Sequence, residues 1–263
     1  MTIPFRGPSR AGVRPSPVFV ALLVVAAVGG YVCWQATTDS HGTRLGVFLL
    51  VLAGWIVTVC LHEFAHAFLA WRFGDQEVEA RGYLSLNPLK YSHPVLSILL
   101  PVLFIAIGGI GLPGGAVYLH PHRYGSKLRQ ALVSLAGPII NVIFAVILLA
   151  TADYAWDHDS RHAVFWAAIA FLGELQVMAA ILNLLPVPGL DGYGAIEPYL
   201  DPEFRRGAEQ FKVYGMLAIF LLLQVDSINR AFFDAVGWFY DLSGAPRQLA
   251  DVGYQLIKFW QSN

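Results

Sequence analysis

One pentapeptide narrows what this chain can be. His62-Glu63-Phe64-Ala65-His66 lies inside the stretch from Leu49 to Phe73, after a run from Gly46 to Leu61 that carries no charge and before a second apolar run that ends at Arg72. Two imidazoles and a carboxylate therefore sit where the composition belongs to lipid. Helix positions i and i+4 share a face, so His62 and His66 can hold one metal ion together, while Glu63 projects about 100° round from His62. A Zn²⁺ held by two imidazoles and one more protein ligand keeps a fourth position for water, and a nearby Glu can take that water's proton. With eight His and seven Glu in the chain, about 0.006 H-E-x-x-H matches are expected by accident. An accident at this place is also costly, because a charged residue at the bilayer centre costs about 2.5–3.5 kcal/mol on insertion scales.

The rest of the chain agrees with a membrane setting. Of 263 residues, 56% are hydrophobic and 13% charged, against about 25% charged in ordinary soluble domains. The mean hydropathy is +0.56. A net charge of −1 gives no basic field and no case for nucleic acid. Cys33 and Cys60 both lie in apolar runs and read as small buried hydrophobes.

Three regions follow from the pattern. Residues 1–16 form a polar, Pro-rich arm with Arg6, Arg10 and Arg14, expected to be disordered and cytoplasmic. Residues 17–226 form the membrane-embedded unit, and 227–263 read as an interfacial amphipathic tail. Spans are expected at about 17–36, 45–73, 128–151, 163–185 and 208–225. The apolar segment 95–112 contains Pro101, Gly108, Gly109 and Gly111 and is expected to re-enter or lie broken within the protein. Alternation over 75–92 suggests a short hairpin at the membrane surface, and Gly114–Leu119 an edge strand. The fold class is thus an all-α polytopic membrane protein of about five to six transmembrane helices, with a re-entrant segment and a short β region.

Lys and Arg placement sets the topology. The arm and the loops 72–90, 123–129 and 205–212 carry basic residues and are expected inside, and the loop 152–162, with Asp153, Asp157 and Asp159, outside. The HEFAH end of the second span and the Asp191 end of the 163–185 span then meet toward the cytoplasmic half.

A third ligand is needed. The candidates are Asp191, Glu174, Glu77, Glu79, His93, His120 and His122. Glu77 and Glu79 lie in a polar loop and read as surface charges. Glu174 is inside an apolar helix and reads equally as functional or as structurally bonded. The three isolated His sit beside prolines in loops. Asp191 is the strongest candidate: Pro186-Val187-Pro188-Gly189 breaks the helix before it, and a carboxylate in an apolar neighbourhood needs a cation.

At this point the motifs resemble a family. HEFAH in one span, with Asn183-x-x-Pro186-x-Pro188-x-x-Asp191-Gly192 in a later one, is similar to the site-2 protease family of intramembrane zinc metalloproteases. Ser134-Leu-Ala-Gly-Pro138-x-x-Asn141 resembles the Ala-Gly-Pro-x-x-Asn stretch of its intervening helix, and the resemblance covers about residues 45–225. It implies one Zn²⁺ per chain on His62, His66 and Asp191, with Glu63 as catalytic acid and base. Asn183 looks like the family's substrate-binding asparagine near the metal. Gly114, Gly115, Ala116 and Val117 are placed like its substrate-pairing β-loop. Asn141 reads either as an oxyanion donor or as a polar bond between packed helices. The chain has Gly192-Tyr193 where many relatives have Gly-Gly. The resemblance implies hydrolysis of peptide bonds within or near transmembrane segments of membrane-protein substrates, in a prokaryotic cell membrane, with lipid as the other partner. The alternative is a metal or proton transporter, which also uses intramembrane His, Glu and Asp. It predicts polar residues along several spans and an inverted repeat, and neither is visible.

Overall fold

The computed structural model describes residues 14–36, 39–90, 119–212 and 214–260. Among these residues the regular structure is helical throughout. α1 (Pro17–Gln35) and α2 (His41–Arg72) come first, then the single turn α3 (Glu77–Ala80), then α4 (Lys127–His158) and α5 (Ala163–Leu184). α1, α2, α4 and α5 are long and apolar enough to cross a membrane. At 1.5 Å per residue the 32-residue α2 and α4 run to about 48 Å and outreach a hydrocarbon core of about 30 Å. Serines start three of the four: Ser16 accepts from the Phe19 N–H, Ser40 from Thr43 and Ser126 from Arg129.

Burial sorts these helices. The apolar windows of α2 and α5 are 61% and 67% buried, and those of α1 and α4 only 22% and 33%. α2 and α5 are therefore the inner pair. Small residues bring backbones together: a Cβ on Gly29 of α1 would strike the Leu50 nitrogen and the Gly46 carbonyl of α2. Gly54 of α2 receives Leu172 of α5, and Gly173 of α5 receives Leu149 of α4.

Six residues of loop separate α5 from α6 (Asp191–Ile196), and α7 (Pro202–Glu209), α8 (Gly215–Leu222), α9 (Asp226–Asp241) and α10 (Arg247–Leu256) follow. The crossing expected at 208–225 is not one helix. α7 and α8 have eight residues each, about 12 Å of rise, and a turn divides them. Packing explains the break. A Cβ on Gly215 would strike the Pro188 carbonyl, and one on Gly189 (φ 101°) would strike the Lys212 backbone. The chain is thus folded back against the Pro186–Pro188 loop. α9 and α10 join the main core: Phe232, Val236, Tyr240, Leu249, Ala250, Leu256 and Ile257 pack in the same cluster as Trp55, Phe171 and Leu175. Gly253 lets α10 lie on Ala167 and Phe171 of α5.

The loop expected at 152–162 is shorter than its composition suggests. α4 continues to His158, and Asp159 turns the chain by accepting from His162 (2.7 Å) and the Trp166 indole (2.9 Å). The hairpin expected over 75–92 is also absent from the described part of that stretch. Residues 77–80, 83–85 and 88–90 form helical turns, with Gly82 and Leu86 in left-handed conformation. The polar side chains there serve a clamp rather than a strand face. Asp75, with no exposed surface, accepts from the His120 backbone N–H (2.9 Å) and from Arg123 (2.9 Å). The clamp fastens the entry to α4 onto the end of α2. The 95–112 segment and residues 114–118 of the expected edge strand lie outside the described residues.

Candidate metal centre

Three helices converge on one point. His62 and His66, one turn apart on α2, are 6% and 5% exposed. Asp191 is the first residue of α6, directly after the loop that ends α5. The Nε2 atoms of the two imidazoles are 3.1 Å apart. Asp191 places one carboxylate oxygen 3.2 Å from His62 Nε2 and the other 3.3 Å from His66 Nε2. Gly192 behind it is needed for approach rather than for unusual backbone angles: a Cβ there would strike the Leu184 carbonyl at the end of α5.

The far side of each imidazole is pinned. His62 Nδ1 donates to Asn141 Oδ1 (2.6 Å) and His66 Nδ1 to the Val133 carbonyl (2.7 Å), both on α4. Pro138, inside α4, has no N–H to give Ser134, four residues earlier. With the protons on Nδ1, both Nε2 atoms present lone pairs. Two imidazole lone pairs and a carboxylate then face one another, which explains why Asp191 Oδ2 is buried without a hydrogen bond despite its nearness to His62. Mutually repelling acceptors at this spacing call for a cation. Ligands about 2.0–2.1 Å from one zinc at tetrahedral angles lie about 3.3–3.4 Å from each other, close to the spacing observed. Gly137 of α4 completes the cradle, since a Cβ on it would strike both Nε2 atoms. The donor set fits zinc.

The other candidates separate cleanly. Glu63 is 3% exposed and follows His62 on α2. Asn183 is buried in the last turn of α5 and is not one of the three converging groups. Asn141 is bonded between His62 and Gln176. Glu174 lies beside Arg247 and Asp251 of α10, away from the three converging groups. Glu77 pairs with Arg81 (2.6 Å) and Arg123 (3.3 Å), and Glu79 accepts from the Trp71 indole (3.1 Å). His120 joins the Asp75 clamp, and its ring meets that of His122 edge-on. His93, Gly114, Gly115, Ala116 and Val117 lie outside the described residues. Sequence reasoning missed Gln176, Thr58 and Asp75. The first two are neutral side chains that an apolar helix carries without disturbing its hydropathy. Asp75 gave a faint signal as a charge directly after the Gly74 that ends α2.

Over 256 residues the chain is 54% identical to a Mycolicibacterium smegmatis protein named "Putative zinc metalloprotease Rip2", covering 97% of this chain and 98% of that one. It is 51% identical over 252 residues to the Mycobacterium tuberculosis (strain H37Rv) protein of the same name, covering 95% and 96%. A Bacillus subtilis protein named "Putative zinc metalloprotease YwhC" is 34% identical over 179 residues, covering 66% of this chain and 79% of that one. Neither a family model nor a solved structure matches the chain. Near full-length likeness to zinc metalloproteases, together with a buried His62–His66–Asp191 group among membrane-length helices, settles the assignment: the chain belongs to the site-2 protease family of intramembrane zinc metalloproteases.

Proposed function

We propose that this chain hydrolyses peptide bonds within or near transmembrane segments of membrane-protein substrates, with one zinc ion held by His62, His66 and Asp191. The observation that carries the reading is the convergence of two imidazole nitrogens, on a helix long enough to cross a membrane, with the Asp191 carboxylate, 3.1–3.3 Å apart. Bound there, zinc supplies an acidified water and polarises the scissile carbonyl. Glu63 accepts the proton of the attacking water on its carboxylate and returns it to the leaving amide nitrogen. Its burial supports that role, because a carboxylate kept from bulk solvent exchanges its proton with the substrate. Asn183 donates from its amide to the substrate near the metal. Asn141 is already committed to His62 and Gln176, which supports Asn183 for this task.

A transmembrane substrate hides its amides in the helical hydrogen-bond ladder and must be unwound locally before cleavage. The edge strand expected at Gly114, Gly115, Ala116 and Val117 would hold the unwound segment by strand addition. Lipid covers the outward faces of α1 and α4, where Val20, Val24 and Val28, and Ile139, Val142 and Val146, are exposed. The placement of Lys and Arg supports a centre toward the cytoplasmic half. The bonds from Asp75 to His120 and Arg123 support this, since they hold loops 72–90 and 119–126 at one end of the bundle. A transport path would spread ionisable groups across the membrane, whereas the ligands here meet at one depth.

The test is Glu63→Gln, purified and reconstituted with a model transmembrane substrate. The variant keeps one zinc per chain and loses cleavage. Cleavage at the wild-type rate would exclude Glu63 as the base.

A further inference from the structure

Four hydrogen bonds connect the zinc ligand His62 to a point two turns earlier on its own helix. They run from α2 through α5 and α4 and back to α2. Thr58 Oγ1 lies 2.8 Å from the Trp55 carbonyl, Gln176 Nε2 2.9 Å from Thr58 Oγ1, Asn141 Nδ2 2.8 Å from Gln176 Oε1, and His62 Nδ1 2.6 Å from Asn141 Oδ1. The members are sealed from solvent: Thr58 is 3% exposed, Gln176 0% and Asn141 2%. Trp55, Thr58 and His62 stand at i, i+3 and i+7, on one face of α2.

The chain has one direction, and its far end sets it. A backbone carbonyl only accepts, so the Thr58 hydroxyl must donate to Trp55. Its lone pairs then take an N–H from Gln176, which turns the Gln176 carbonyl toward Asn141. Asn141 must answer with its NH₂ and is left presenting Oδ1 to His62. His62 can meet an acceptor only by carrying its proton on Nδ1, which frees Nε2 for metal. The reverse order would place the Asn141 NH₂ against His62 Nδ1, move the proton to Nε2 and aim it where the metal sits. It would also take the Thr58 hydroxyl from Trp55.

We propose that Gln176 and Thr58 are positioning residues for zinc binding, acting through Asn141 to fix the tautomer and ring orientation of His62. Neither touches metal or substrate. This rests on the metal-centre reading above. It extends that reading to two neutral side chains on helices whose hydropathy does not single them out. Partners behind a metal-binding imidazole are typically worth about 10–100-fold in metal affinity.

The experiment uses the full-length protein in detergent. Zinc affinity is read by chelator competition, and ligand geometry by the d–d absorption of the Co²⁺-substituted form. Gln176→Met keeps length and removes both polar ends; Thr58→Val keeps shape and removes the hydroxyl. Each weakens zinc by about 10–100-fold and shifts the cobalt bands. Thr58→Ser restores the hydroxyl and with it both readouts, which a purely volumetric role for Thr58 would not give. If Gln176→Met does not fold, the Thr58→Val and Thr58→Ser pair decides. Wild-type zinc affinity and an unshifted cobalt spectrum in the folded variants would overturn the proposal. Asp191→Ala, measured alongside, separates the two readings. Zinc lost there but unchanged in the chain variants overturns this inference alone, and zinc unchanged in Asp191→Ala overturns the metal centre and this inference with it.

Discussion

Gly137→Ala sets two physical effects against each other. In an exposed helix interior the change is favourable, because alanine is about 0.8–1.0 kcal/mol better than glycine in helix propensity. At Gly137 the added methyl would sit against His62 Nε2 and His66 Nε2, well inside van der Waals contact. Rings at the ends of side chains usually swing aside at little cost. These two do not have that freedom, because His62 is held from behind by Asn141 at 2.6 Å and His66 by Val133 at 2.7 Å. To admit a methyl the rings must retreat by about 1 Å, and metal–ligand distances tolerate about 0.2 Å. Retreat also breaks one or both bonds to α4, each worth about 0.5–1.5 kcal/mol net. Two such bonds come to about 1–3 kcal/mol, and the methyl lies in the space between the ligands as well. The expected result is a loss of zinc affinity of about 100-fold or more, equivalent to about 2.7 kcal/mol. Chelator competition on the purified variant measures it, and cleavage of a reconstituted transmembrane substrate should fall with zinc occupancy. A variant that binds zinc within about threefold of wild type, or 0.65 kcal/mol, would refute the argument that α4 forms the back wall of the metal site.

Two further outcomes test the frame around the site. Arg123→Gln leaves the fully buried Asp75 carboxylate with the His120 ring and the backbone N–H groups of His120 and Glu77; breaking a buried pair costs about 3–5 kcal/mol, and the half-exposed Arg123 points to the lower end. Thermal unfolding in detergent should show a lowered midpoint, and an unchanged midpoint would mean that the clamp contributes nothing. Asp159 is held below the usual carboxylate range, first by the Trp166 indole N–H and then by His162. Its folded value lies below its unfolded one, so its contribution is complete above about pH 4 and is lost as pH falls through the folded value. Unfolding midpoints followed from pH 6 to pH 3 should fall less steeply in Asp159→Asn than in wild type, and parallel curves would remove Asp159 from the account.

What the sequence disclosed and what it hid follow from the cost of a side chain in lipid. His62, Glu63, His66 and Asp191 are titratable groups in apolar surroundings, and each is expensive there unless it has a partner. Their presence therefore calls for a cation, and the i, i+4 spacing puts two of its ligands on one face. Gln176 and Thr58 lie equally deep and bear on the same imidazole, but neutral amides and hydroxyls barely alter hydropathy, and their partners are on other helices. Gly137 stands in the stretch that resembles the family's intervening helix, but nothing in its sequence neighbourhood points to contact with the ligand rings themselves. Two errors share a different cause. The alternation over 75–92 suggested a strand, yet its polar positions are spent on the contacts from Asp75 and Glu77 to residues 120–123, a long-range demand that outweighs local period. The apolar run at 208–225 suggested a span, yet the close approach of Gly215 to Pro188 folds it back beneath the loop that carries Asp191. That fold-back gives the apparent error a use. A metal ligand at the start of a six-residue helix cannot be rigid on its own account. Asp191 is held between the end of α5, through Gly192, and the backbone of Lys212, through Gly189. Residues that hydropathy assigned to another crossing thus brace the third ligand against the two on α2.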